Sequence, residues 1–128
     1  MKLTKKEIEN VSSLNPQLRY KYLIKRVADS ELLFTLKDSK GQFLITEVEG
    51  NKLFSIWSSK EFASNCIQGD WINYNPSEIT LEQFQEEVID FLEENNFLIN
   101  VFSVGNKSGF VVNILEFAQD LSKELNNY

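Results

Sequence analysis

Histidine is absent from this chain of 128 residues. That removes the commonest general base, the hydroxyl and thiol nucleophiles that lean on an imidazole, and most zinc and redox-metal ligand sets. Cysteine occurs once, at Cys66, so no internal disulfide can form and a reducing compartment is the expected setting. The five glycines stand singly at turns, which leaves no phosphate-binding loop and no dinucleotide glycine fingerprint. No apolar run approaches the roughly 20 residues of a membrane span. The opening Met1-Lys2-Leu3-Thr4-Lys5-Lys6-Glu7 lacks the apolar segment of a signal peptide. A cytoplasmic protein without catalytic residues, metal or cofactor is the expectation.

Basic charge is scarce overall and unevenly placed. The net charge is −6, with a sequence pI near 4.7. Residues 1–26 nevertheless hold seven basic residues (Lys2, Lys5, Lys6, Arg19, Lys21, Lys25 and Arg26) against two acids, Glu7 and Glu9. Only the first two predicted helices could offer the basic face of a nucleic-acid binder, and they lack the glycine and aromatic pattern of a single-strand reader, so no nucleic-acid partner is expected.

What is present suffices for one hydrophobic core spanning residues 1–128. Ten Phe, two Trp and four Tyr supply it, and folding at this length buries roughly two-thirds of the unfolded chain's surface. Thr4 with Glu7 forms a capping-box pattern that opens a helix to about Ser13. Asn15-Pro16 starts a second, with Tyr20, Leu23, Ile24 and Val27 on its apolar side. The period then shortens. Leu32–Leu36, Phe43–Val48 and Leu53–Trp57, separated by Asp38-Ser39-Lys40-Gly41 and Glu49-Gly50-Asn51, read as a three-stranded antiparallel meander. Ser58 with Glu61 predicts a helix bearing Phe62, Ala63, Cys66 and Ile67, closed by Gly69. Trp71–Tyr74 reads as a short strand ended by Asn75-Pro76. Thr80 with Gln83 caps the longest helix, to about Glu94, with Leu81, Phe84, Val88, Phe91 and Leu92 as its seam. Phe97–Val104 and Phe110–Ile114 form a hairpin around Gly105–Gly109, and a last helix carries Leu115, Ala118, Leu121 and Leu125. The order ααβββαβαββα defines an α+β domain with a mostly antiparallel sheet. Its expected central positions are Phe34, Leu36, Leu44, Leu53, Phe62, Phe84, Val88 and Phe91.

Taken together, Arg19-Tyr20, Val27-Ala28-Asp29, the Leu36–Gly41 turn, Ile56-Trp57, Phe62-Ala63, Trp71, Tyr74, Pro76, Ile79, Leu81, Phe84 and Val101-Phe102 form an ordered set. In that order and spacing, over about residues 12–121, the chain resembles the bacterial DUF2750 family, a domain of unknown function. Phe34 stands where family members often have Trp, and Ile56 and Ser58 where a proline flanks the Trp57 position. Both departures keep apolar and turn roles. The resemblance implies a fold and a bacterial origin, and no catalytic residues. A fainter similarity, through Leu53–Phe62, is to the amino-terminal domain of the enhanced-serine-sensitivity (SseB-like) proteins.

Several clusters carry a functional reading beside a plainer one. Cys66, one turn from Phe62 and Ala63, reads as a small buried hydrophobe rather than a reactive thiol. Asp29, Glu31, Asp38, Glu47 and Glu49 flank turns, where acids are common, and do not match a calcium-loop spacing. Trp57, Trp71 and Tyr74 either pack in the core or line a ligand cleft. Glu82, Glu86, Glu87, Asp90, Glu93 and Glu94 crowd the longest helix, with no basic residue from Asn73 to Asn106. Acids one turn apart repel each other, and those near the helix C-terminus oppose its dipole. Their face, represented by Glu82, Glu86, Asp90 and Glu93, is either simply solvated or a docking surface for a basic protein. The leading expectation is a non-catalytic protein-interaction module, either accessory or regulatory, or an immunity-type inhibitor of a basic target. The alternative is a small-molecule-binding or enzymatic domain using the Trp57, Trp71 and Tyr74 region.

Overall fold

Local capping chemistry sets the first two helices. The Thr4 hydroxyl accepts the Glu7 backbone N–H at 3.1 Å and opens α1, Lys5–Ser12. Glu7 does not return the bond expected of a capping box. Its carboxylate instead accepts the Tyr22 hydroxyl at 2.7 Å, tying α1 to the next helix. Asn15 caps α2, Pro16–Ser30, by accepting the Leu18 N–H at 2.9 Å. Leu23, Ile24 and Val27 are buried along it, as their spacing predicts. The computed structural model describes residues 3–105 and 109–127.

Six strands follow in two sheets that adjoin. Strand β1 is Leu32–Lys37, β2 Ile45–Val48, β3 Asn51–Ile56, β4 Asn75–Thr80, β5 Leu98–Val101 and β6 Phe110–Val112. The expected meander is corrected here, because only β2 and β3 form an antiparallel hairpin. β1 pairs antiparallel with β4, Leu33 opposite Ile79, in a two-stranded sheet. The other sheet has the order β2-β3-β5-β6, and β3 runs parallel to β5. Phe34 and Trp57 exchange backbone bonds of 2.9 and 2.8 Å, which joins β1 to the end of β3. The Thr35 hydroxyl reinforces that seam by donating to the Ser55 carbonyl at 2.7 Å.

The segment from Ser58 to Thr80 departs furthest from expectation. Helix α3, Lys60–Ser64, is capped at Ser59 with no side-chain bond, so the Ser58–Glu61 capping box does not form. It stops well before Gly69. Trp71 closes a single 3-10 turn, Gly69–Trp71, and the next strand is Asn75–Thr80 rather than Trp71–Tyr74. Pro76 is tolerated there because β4 has a neighbour on one side only, so the missing N–H falls where no ladder bond is required.

Thr80 then makes the predicted capping box with Gln83, both bonds being 3.0 Å. It opens a continuous helix, α4, built of Leu81–Gln83, a π-helical turn Phe84–Val88, and Ile89–Glu94. Leu81, Phe84, Val88 and Leu92 turn inward and are buried, while Phe91 is partly exposed. Asn113 caps the last helix, α5, Ile114–Leu125. That start places Ile114, Phe117 and Leu121 on the inner face. Leu115, expected inside, is 66% exposed.

Most of the expected core is enclosed: Leu36, Leu44, Leu53, Phe62, Phe84 and Val88 are buried, whereas Phe34 and Phe91 are only partly so. Phe54, Trp57, Ile99, Phe102 and Phe117 complete it, each without solvent exposure. The whole is one α+β domain around one core.

Two tyrosines hold helices by their hydroxyls. Burial, with the bond to Glu7, pushes the Tyr22 phenol from the ordinary value near 10 to about 12. Burial and the bond to Asp120, 2.7 Å, push Tyr20 further in the same direction. In both cases the neutral form is favoured by folding. The stability they contribute is therefore complete below pH 10 and drains away as the pH rises from 10 toward 12. Denaturant midpoints measured from pH 8 to 11 should fall steeply above pH 10, and less steeply in Tyr22→Phe. A flat profile would show that neither hydroxyl is buried against its carboxylate.

Candidate functional site

Helix α4 carries its acids outward because its apolar residues are committed inward. Glu82, Glu86, Glu87, Asp90, Glu93 and Glu94 are all exposed, as is Glu78 just before it. The π turn widens the helix at Phe84–Val88 without moving any of the six acids into the core. Glu82, Glu86, Asp90 and Glu93 fall on successive turns, and the structure thus brings them onto one solvent-facing helix. Along the chain nothing offsets them, since no Lys or Arg lies between residues 73 and 106.

A second set of polar groups gathers where β3 and β5 end side by side. Parallel pairing brings Ile56 opposite Val101, so the next residues of both strands emerge together at the carboxyl edge of the sheet. The Phe102 N–H still bonds the Ile56 carbonyl at 2.9 Å, but Phe102 itself is left-handed, with φ 62°. For an aromatic residue that conformation is strained by order 1–3 kcal/mol. Arg19 of α2, 2% exposed, holds the bend: its Nε donates to the Phe102 carbonyl at 2.9 Å, and its Nη1 to the Leu14 carbonyl. Burial lowers the guanidinium's pKa, but such a group stays charged.

The Ser103 carbonyl accepts twice, from Trp57 Nε1 at 2.9 Å and from the Cys66 thiol at 3.3 Å. Around them the side-chain oxygens of Ser58, Ser59 and Ser103 are buried with no hydrogen-bond partner among the described residues. Such groups are rare and call for a reason, an ordered water or a ligand among them. Chemically this edge offers hydroxyls that both donate and accept, next to a fixed positive charge.

Trp57 is wholly enclosed, and its ring exposes no surface to a cleft. Trp71 and Tyr74 are partly buried and share one turn, the Tyr74 N–H bonding the Trp71 carbonyl at 3.0 Å. Asp38 is occupied by its own turn, accepting the N–H groups of Lys40 and Gln42 at 2.9 Å each. Among the described residues no group of three or more His, Cys, Asp or Glu is placed to hold a metal. Arg19 and the three serines were not singled out by sequence. A buried arginine has no local signature, and its one clue is its position beside Tyr20 on the inner face of α2.

Cys66 is 2% exposed, and burial pushes its thiol up, against the opposing pull of the Gly105 backbone and the Arg19 charge. It should react with a thiol reagent far more slowly in the native protein than in denaturant. Equal rates would place the sulfur outside the core.

An α+β domain with a mixed sheet and a strained, arginine-held edge is the class that the geometry defines. The chain belongs to the DUF2750 family of proteins of unknown function, whose family model matches residues 20–121. No functionally curated protein matches it. Among the described residues no helix is long and apolar enough to cross a membrane.

Proposed function

We propose that this protein is a non-catalytic interaction module that docks a basic protein partner on the exposed face of α4. The observation that carries this reading is the uniform exposure of Glu82, Glu86, Glu87, Asp90, Glu93 and Glu94 on a helix whose apolar seam is already buried. Their mutual repulsion gains nothing for the fold. In a complex the same field speeds association and makes it salt-dependent. A partner of this kind suits an accessory or regulatory domain, or an immunity-type inhibitor covering a basic surface.

The test is the charge reversal Glu82→Lys, Glu86→Lys, Asp90→Lys and Glu93→Lys, compared with the parent against a partner recovered by affinity capture. The variant should fold as well as the parent, within a few tenths of a kcal/mol per relieved pair, and should lose affinity and the salt dependence with it. Unchanged affinity and salt response would reduce the ridge to a solvated face.

The carboxyl edge of β3 and β5 favours a second reading, a small polar ligand bound by its serine hydroxyls. It is supported by the unpartnered Ser58, Ser59 and Ser103 oxygens at the sheet edge where parallel strands commonly receive ligands.

A further inference from the structure

Helices α2 and α5 pack alongside each other and leave an open groove of about 600 Å³ between them. Leu14, Leu18 and Ile24 supply apolar lining. Leu18 remains 44% exposed there, an apolar side chain on the outer side of α2. One wall carries Lys21 and Lys25, a turn apart on α2. The opposite wall carries Asp120 and Glu124, a turn apart on α5. Among the described residues no ion pair bridges the two walls; the Tyr20 hydroxyl, donating to Asp120 at 2.7 Å, is the polar link between the helices.

A groove of opposite sign across its width is complementary to itself when turned through a half rotation. We propose that its occupant is a second copy of this chain, docked about a two-fold axis, with the α2 ridge of each copy seated in the groove of the other. Leu18, Lys21 and Lys25, spaced i, i+3 and i+7, lie along one face of α2. The lysine stems cover the apolar lining while their ammonium groups reach the acidic wall of the facing copy. Every attractive contact is then made twice, as a two-fold interface requires. The acidic face of α4 stays free. α4 meets α5 through Phe84, Gln85 and Ile89 against Ala118, Leu121 and Leu125, on another side of α5 from Asp120 and Glu124. The dimer is thus independent of the docking role assigned to α4.

Light scattering and sedimentation over a concentration series should give the parent chain twice its monomer mass. Lys21→Glu with Lys25→Glu makes both walls acidic and should weaken self-association about tenfold or more. Asp120→Lys with Glu124→Lys makes both walls basic and should do the same. If the loss of the Tyr20 bond unfolds that variant, Glu124→Lys alone carries the same test. An equimolar mixture of the acidic-walled and basic-walled variants should restore the dimer as a heterodimer, while Leu18→Glu should abolish it in any mixture. A parent that is monomeric at every concentration overturns the proposal, leaving the groove to a small ligand or a foreign peptide. So does a dimer indifferent to these reversals, or a mixture that fails to pair.

Discussion

Replacing Phe84 with alanine should cost about 3–5 kcal/mol, the range for deleting a fully enclosed phenyl ring that its neighbours cannot refill. Phe84 has no solvent exposure and meets Phe117 edge-on with ring centroids 5.6 Å apart. It is therefore one of the contacts by which α4 and α5 share one core. Its backbone also begins the π turn, so the surrounding helix is held by that packing as much as by its own hydrogen bonds. Chemical denaturation should show a lower midpoint with an unchanged slope. A loss under about 1 kcal/mol, well below that range, would mean that α4 presents a different side to the core.

Arg19→Met should be comparably severe, at about 2–6 kcal/mol. The buried Phe102 carbonyl and the part-buried Leu14 carbonyl would each lose a charged donor at about 1–3 kcal/mol. Methionine fills much of the space, so the cost is chiefly polar rather than a cavity. Arg19→Lys should recover less than half of it, because a single ammonium cannot serve two carbonyls from the guanidinium's fixed fork. The same variants separate stability from function. If the edge holds a ligand, Arg19→Lys should change ligand protection of the native state as well as its melting temperature. Stability unchanged in Arg19→Met would show that the Phe102 bend holds without the arginine.

The parts legible in the sequence are those decided by neighbours in the chain. Thr80 and Gln83 are three residues apart, and their reciprocal caps form as written. Asn15-Pro16 starts α2, and Cys66 is buried as expected, although α3 ends at Ser64 and a turn carries it into the core. The order of elements is likewise as read. What local pattern cannot convey is the partner of a strand. Asn75-Pro76 looks like a terminator, and becomes a strand because Leu33 waits opposite Ile79 with a buried face to complete. Leu115 shows the same limit in a helix: one residue's shift in the cap at Asn113 decides whether it or Phe117 faces inward.

The outward acids of α4 were legible because helical period alone exposes them. The carboxyl edge was not. Arg19 reads as part of a basic surface, Ser58 as a cap and Ser103 as part of a strand. They acquire meaning only when β3 lies parallel to β5, a pairing that spans the chain from Leu53 to Leu98.

That parallel pairing also governs the order in which the native state can be assembled. The hairpin of β2 and β3 and that of β5 and β6 each close over short stretches of chain and can form on the microsecond scale of isolated hairpins. The β3–β5 ladder cannot, because α3, β4 and α4 all lie in the loop that must close first. Loop closure of that length is an entropic barrier met before any of its contacts is rewarded. The rate-limiting step of folding should accordingly be the joining of two preformed hairpins, with the bend at Phe102 and its arginine set only afterwards.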